Sequence, residues 1–319
     1  MSRRLAALVL VLAAPLAAGC GSVARDSAPR AAAAGGGTRP VVVPLQTANG
    51  PVPAVPGRRP LDLTVPTTGA PIRLKFKHSP RAGLLFDLDT GEVLWERDAT
   101  RALPIASVTK MMTALLVAER EKAHARVLIT KEALRYQGSG VGVLPRGKHV
   151  QLETMLYGLM LPSGNDAAIA LAQRVSGTVP AFVALMNRRA AELGLTCTRF
   201  SSPSGFVDRG NRSCPADLAA LAKAVLAQPR LARIVRTRSA TRPMAIKGGK
   251  VYLYNHNPLL RAGYPGTLGV KTGFTDAAGR CIVAAARRKG RRLGVVLLHS
   301  PDPGRQATQL LNRGFRRLP

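Results

Sequence analysis

Pro104–Leu116 reads PIASVTKMMTALL. Pro104 closes an extended segment, and from Ser107 to Glu119 (SVTKMMTALLVAE) apolar side chains recur on a helical period. Ser107 then stands at a helix N-terminus with Lys110 three positions on, along the same face. That spacing brings an amine to a hydroxyl, so Lys110 can take the Ser107 proton and activate the oxygen as a nucleophile. The free backbone N–H groups of a first helical turn can hold the oxyanion of a tetrahedral intermediate. Ser-x-x-Lys also arises by chance, and a helix-starting serine with a snorkelling lysine is the plain alternative, so the remainder of the chain has to decide.

Two further motifs follow in order, Ser163-Gly164-Asn165 and Lys271-Thr272-Gly273. A lysine serves as a base only when its ammonium form is destabilised, by burial or by a neighbouring cation such as Lys271. Lys271 ends an apolar strand-like run, which argues against a surface lysine in a turn. Thr272 offers a hydroxyl to a substrate carboxylate. A side chain at position 273 would obstruct a substrate strand lying along a sheet edge, which is a reason for Gly273.

Around these motifs the chain divides in three. Ala82–Asp89, Thr90-Gly91 and Glu92–Glu96 (AGLLFDLD-TG-EVLWE) form a hairpin pattern. Helical spacing follows over Leu152–Met160, Asn165–Val175, Pro180–Leu193 and Ala216–Leu226. Strand patterns then run VYLYN, TLGVKT, RCIVAAAR and RLGVVLLH, with a last helix from Arg305 to about Arg313. Strands at both ends and helices between them predict one α+β domain over 72–319, its sheet completed by the C-terminal part.

Upstream, Arg3 and Arg4 precede an apolar run and the small residues Ala17-Ala18-Gly19-Cys20, the layout of a secretory signal over 1–20. Ala18-Gly19-Cys20 resembles the lipobox of bacterial lipoproteins, which makes Cys20 a lipidation candidate; ordinary signal cleavage is the alternative. A diacylated Cys20 would anchor the protein on the outer face of the membrane, and otherwise it would be secreted. Residues 21–71, with AAAAGGG and PVPAVPG, read as an Ala/Gly/Pro-rich flexible linker. No later stretch is long and apolar enough to be a membrane-spanning helix.

The chain carries 47 Lys and Arg against 17 Asp and Glu, a net charge of +30, so its surface should attract anionic wall polymers or a membrane surface. Nucleic acid is not an expected partner: the signal layout places the chain outside the cytoplasm, aromatic residues are sparse, and the arginines are dispersed. After Cys20 only Cys197, Cys214 and Cys281 remain. Export permits a disulfide, and Cys197 with Cys214, at the edges of a turn-rich stretch, is the candidate pair. Scattered histidines and the lack of CxxC argue against a metal, and no cofactor is expected.

Together the motifs resemble the SxxK, S-x-N and KTG triad of penicillin-recognising serine hydrolases. The resemblance extends through PIASVTKMMTALL, VLITKEALR, LYGLMLPSGNDAAIALAQ, FVALMNRRAAELGLTCTRFSSPSG, LLRAGYPGTLGVKTGFTDAAGRCIVAAARR and GRQATQLLNRGF. These are similar to the low-molecular-mass D-alanyl-D-alanine carboxypeptidase family over about Arg81 to Phe315. The resemblance implies a β-lactamase/transpeptidase-like fold, an antiparallel sheet flanked by helices with a helix-rich subdomain. It implies Ser107 as the acylated nucleophile, Lys110 as its base, and Ser163 as a proton relay helped by Lys271. Asn165 would bond the substrate amide, and the backbone N–H groups of Ser107 and Phe274 would form the oxyanion hole. Thr272 and Arg305, the latter from a segment like the family's GRxA, would grip the terminal carboxylate, a task that suits a planar guanidinium. On spacing alone a solvated helix-start arginine is an equal reading of Arg305. Peptidoglycan stem peptides would be the substrate, and β-lactam antibiotics covalent inhibitors. Phe274 replaces an often polar residue, and the Cys197 and Cys214 pair is not a general family feature.

Three rivals share these residues. A class A β-lactamase needs a second carboxylate base between the later motifs, where Glu192 is the only glutamate and lies in a helix-like stretch. A non-catalytic penicillin- or wall-binding lipoprotein would not require both Ser107 and Lys110. An endopeptidase acting on cross-links uses the same bond chemistry.

Overall fold

The computed structural model describes residues 59–65, 70, 72–206 and 210–317. The signal and lipidation readings of 1–20, including Cys20, lie outside the described residues, as does 21–58 of the expected linker. The chain begins with β1 (Ala82–Asp87), β2 (Val93–Arg97) and β3 (Leu103–Pro104), then a 3-10 turn over Ala106–Thr109 that leads into α1 (Lys110–Arg120). Next come β4 (Arg126–Leu128), β5 (His149–Gln151), α2 (Leu152–Met160), α3 (Asn165–Ser176) and α4 (Val179–Glu192). After β6 (Arg212–Ser213) follow α5 (Pro215–Ala227), α6 (Pro229–Val235), β7 (Ser239–Pro243), β8 (Lys250–Tyr254) and α7 (Pro258–Arg261). The chain closes with β9 (Thr267–Thr275), β10 (Gly279–Arg288), β11 (Arg291–Ser300) and α8 (Pro303–Arg317).

Five strands pair in the order β2-β1-β11-β10-β9, every neighbour antiparallel. The runs GLLF, CIVAAA and LGVVLL are apolar without alternation because this sheet is covered on both faces. Leu85, Ile282, Ala284, Val295 and Leu297 meet Ala307, Leu310 and Leu311 of α8. Their alternates Leu84, Phe86, Val283, Val296 and Leu298 join the larger core with α1 to α6. The α+β class and the antiparallel sheet between helical layers are therefore as expected from the sequence.

Three differences bear on the site. Ser107 lies in the 3-10 turn, not in the α-helix, which starts at Lys110. In a three-residue turn positions i and i+3 eclipse, so Ser107 and Lys110 align even more directly than an α-helix would place them. Residues 59–65, inside the segment expected over 21–71 to be linker, pack against the domain. Leu61 is buried, Arg59 pairs with the buried Asp217, and Thr64 exchanges backbone hydrogen bonds with Gly91 and Val93. A single leucine-bearing segment, PLDLT, carries too short a pattern to show as an element, yet it packs. The sequence patterns also do not reveal α6 or the β7 partner of β8, whose polar side chains alternate between exposed and half-buried.

The Cys197 and Cys214 sulfurs meet, with their Cα atoms 5.9 Å apart, and Cys281 lies outside this pair in the buried face of β10. The bridge joins the loop after α4 to the residue before α5 and closes a sequence separation of 17. A closed loop of that length stabilises a fold by about 3 kcal/mol. We expect peptide mapping of exported protein without reductant to recover Cys197 joined to Cys214 and Cys281 as a thiol. The double serine variant should lose about 3 kcal/mol in urea unfolding; two unmodified thiols at 197 and 214 would refute the assignment.

Candidate active site

Three segments far apart in sequence converge on one amine. Lys110 Nζ donates to Ser107 Oγ at 2.8 Å, to Asn165 Oδ1 at 2.6 Å and to the Ser204 carbonyl at 2.7 Å. Its side chain has no exposed surface. Burial is the main cause holding its pKa well below 10.5, and the charge of Lys271 adds to the depression; Asp166 opposes it. Lys271 is likewise buried, and burial brings its pKa down to about 7. Its Nζ donates to Ser163 Oγ at 3.0 Å and to the Thr272 carbonyl at 2.9 Å.

The backbone is shaped around these lysines. Ala106 and Ser163 take left-handed conformations, with φ of 48° and 66°, which non-glycine residues adopt at a cost. Each sits beside a functional position: Ala106 precedes Ser107, and Ser163 presents its own hydroxyl to Lys271. Asp166, at the start of α3, accepts from the Val141 N–H at 2.9 Å and the Gly142 N–H at 3.1 Å. This ties the 137–142 loop to the helix, and the same loop receives the Asn165 Nδ2 donor on the Gln137 carbonyl at 2.5 Å.

Gly273 has a steric reason within the fold beside the one its motif suggests. A Cβ added there would stand 2.9 Å from both the Ile105 carbonyl oxygen and the Ser107 nitrogen. The strand edge of β9 thus touches the Ser107 backbone itself, and any side chain would push the two apart. Gly205, with φ of 74°, makes the matching approach from the other side, where a Cβ would overlap the Ala106 carbonyl.

A cleft of 340 Å³ opens in front of this core, lined among others by Ser107, Ser163, Thr272, Phe274 and Arg280. Lys110, Asn165 and Lys271 stand behind its wall. Asn165, expected to face substrate, has its oxygen on Lys110 and its nitrogen on Gln137 in this structure, so it positions the amine. Arg305 does not line the cleft; it is exposed, and its backbone N–H bonds Asp302 at 3.1 Å. Arg280 at the start of β10 lines it instead, with Nη1 on the Pro301 carbonyl at 3.2 Å. Sequence reasoning also passed over Asp166 and the Ser204 carbonyl. An Asp directly after the S-x-N motif was the available sign for the first, and a backbone acceptor leaves none.

A serine hydrogen-bonded to a buried lysine whose pKa burial holds low, a second serine on a second buried lysine and a cleft in front of both form a candidate active-serine site suited to acyl transfer. A family model described as D-alanyl-D-alanine carboxypeptidase matches residues 67–302, and the chain belongs to that family. It is 34% identical over 247 residues to the D-alanyl-D-alanine carboxypeptidase DacF of Bacillus subtilis, spanning 75% of this chain and 62% of that protein. To DacB2 of Mycobacterium tuberculosis it is 36% identical, over 73% of this chain and 81% of the relative. Among solved structures, the Streptomyces K15 DD-transpeptidase superposes with a TM-score of 0.71 at 32% identity, covering 76% of this chain and all of the other.

The depressed lysine leaves a thermodynamic trace. The folded pKa of Lys271, about 7, lies below its ordinary 10.5, so between those values the unfolded chain binds more protons and stability rises with pH. The cost of burial is fully present below about pH 7 and is relieved above it. Relative to Lys271→Met, the native protein should therefore gain at least about 1.4 kcal/mol from pH 6 to pH 10 in urea unfolding, the equivalent of one pKa unit. Parallel pH profiles for the two proteins would contradict a Lys271 whose pKa burial lowers to about 7.

Proposed function

We propose that this chain is a serine-type D-Ala-D-Ala carboxypeptidase that removes the terminal D-alanine from peptidoglycan stem peptides at the cell envelope. The observation that carries this reading is the 2.8 Å contact between the buried Lys110 amine and Ser107 Oγ. A neutral amine at that distance takes the hydroxyl proton as the oxygen attacks the D-alanyl carbonyl. The backbone N–H groups of Ser107 and Phe274 receive the developing oxyanion. Collapse expels the D-alanine amine, which takes a proton by way of Ser163 from the Lys271 ammonium; the proton that Lys110 took from Ser107 then recharges Lys271, so Lys110 is neutral again before the second step. Water then attacks the Ser107 ester, Lys110 serving as base again, and the shortened peptide leaves. β-Lactams would acylate the same oxygen and, with the leaving group tethered, remain bound.

The cleft lining supports a slow second step for such adducts. Among the described residues that line it there is no carboxylate. Glu192, the candidate second base of a β-lactamase, lies at the end of α4 in an ion pair with Arg189. We expect a fluorescent penicillin to give a long-lived adduct that Ser107→Ala abolishes, and nitrocefin turnover to be negligible. Free D-alanine should appear from a diacetyl-L-lysyl-D-alanyl-D-alanine mimic and be lost, by about 10³-fold or more, in Ser107→Ala. Fast nitrocefin turnover would favour a β-lactamase, and cleavage confined to cross-linked sacculi would favour an endopeptidase.

The substrate carboxylate has two candidate partners, and the cleft supports Arg280 alongside Thr272. Arg280 lines the cleft and has no carboxylate in ion-pair range among the described residues, whereas Arg305 faces outward. Arg280→Ala should raise KM for the tripeptide mimic about tenfold or more, with a smaller effect on its C-terminal carboxamide. An equal loss on both substrates, or a larger carboxylate-dependent loss in Arg305→Ala, would return the role to Arg305.

A further inference from the structure

The turn between β10 and β11 reads Arg287-Arg288-Lys289-Gly290-Arg291-Arg292, five cations in six residues. The last turns of α8 add Arg313, Arg316 and Arg317. Arg288 joins the tip of this hairpin to the helix end, whereas Arg287, one residue earlier on the strand, leaves the opposite face of the sheet. The Arg288 guanidinium lies 4.4 Å from the Tyr264 ring and 5.0 Å from the Phe315 ring, and Nη1 reaches Asn312 Oδ1 at 3.4 Å. Arg291 and Arg292 are neutralised by Asp87 and Asp89. Arg287, Lys289, Arg313, Arg316 and Arg317 are exposed and have no ion pair among the described residues. No acidic residue occurs in 287–292 or in 303–317. The C-terminal dipole of α8 favours cations at 316 and 317, but it does not account for Lys289 on another element.

We propose that this hairpin and helix end form a docking surface for a phosphodiester-linked wall polymer, separate from the cleft. Charge and shape choose the occupant. Guanidinium forks match phosphate oxygens in pairs, and a row of unpaired cations gains from displacing the counterions of a polyanion. A bilayer would require apolar side chains to insert. The exposed large apolar side chains of the described chain (Leu128, Val143, Phe206, Tyr252, Tyr254, Phe274 and Val65) all lie elsewhere. Position also suits a tether. Arg280 at the cleft and Arg288 in the patch are eight residues apart along β10, about 27 Å at the rise of a strand. A polymer bound at the far end of β10 would leave the cleft open to stem peptides of the same wall.

The test uses the full chain and two variants. One replaces Lys289, Arg313, Arg316 and Arg317 with Gln; the other removes as many exposed cations elsewhere, at Arg120, Lys122, Lys131 and Lys148. Binding is measured to cell walls rich in phosphodiester polymer, to the same walls stripped with hydrofluoric acid, and to phosphatidylglycerol vesicles. Far-UV circular dichroism, unchanged in both variants, verifies their folding. The patch variant should lose about tenfold or more in affinity for intact walls, with the slope of log affinity against log salt smaller by about three. The second variant should lose less than about threefold, and neither should differ on stripped walls. Equal losses in the two variants would mean diffuse attraction to a chain of high positive charge and would overturn the proposal. So would a patch-dependent loss that persists on stripped walls or is larger on vesicles.

Discussion

The site depends on keeping a primary amine where water cannot reach it. An ammonium without exposed surface is costly unless its three protons find acceptors or one of them leaves. Lys110 meets both conditions: it has three oxygen partners, and burial together with the charge of Lys271 favours loss of a proton. The partners come from the turn before α1, the start of α3 and the loop after α4. A base of this kind therefore cannot exist until the helical layer has closed. Its protonation state is a product of tertiary structure, not of the SxxK spacing that announces it.

The sheet supplies the opposing half. Strand β9 is held in register by β10, which places Lys271 opposite Val283 and Gly273 opposite Cys281. The Ile105 and Ser107 backbone then rests directly against Gly273. Sheet and helical layer thus meet at van der Waals distance at the nucleophile. Positive φ at Ala106 and Ser163 is the local cost of that approach, offset by the large cores on both faces of the sheet.

How much of this could be seen beforehand varies by residue. Strands β10 and β11 and helices α2 to α5 carry long apolar patterns, so their places in the fold were legible, as were the three motifs. The 3-10 turn at Ser107 was not, because four residues cannot display a period that distinguishes it from an α-helix. Strand β7 was hidden because SATRP packs little and so selects no apolar face. Asp166 and the Ser204 carbonyl act on a surface loop and a buried amine, relations that exist only after residues 25 and 94 positions apart have met. Arg280 lacked any motif of its own; only its register opposite Phe274 brings it to the cleft.

Two buried lysines in one site raise the question of which gives up its proton first. Burial acts on both, since neither ammonium is solvated. Lys110 suffers in addition from the charge on Lys271, while the principal cause acting on Lys271 is burial alone. The surroundings sharpen the difference. Ser107 Oγ can return a hydrogen bond to a neutral amine by donating its proton, whereas the Thr272 carbonyl held by Lys271 can only accept and so favours the ammonium. In the proposed reaction Lys110 is thus the group to take a proton, and Lys271 the one to hold it beside Ser163. Exchanging the two roles would leave a charged amine against the nucleophile and a neutral one against the leaving group, the wrong polarity for both halves of an acyl transfer.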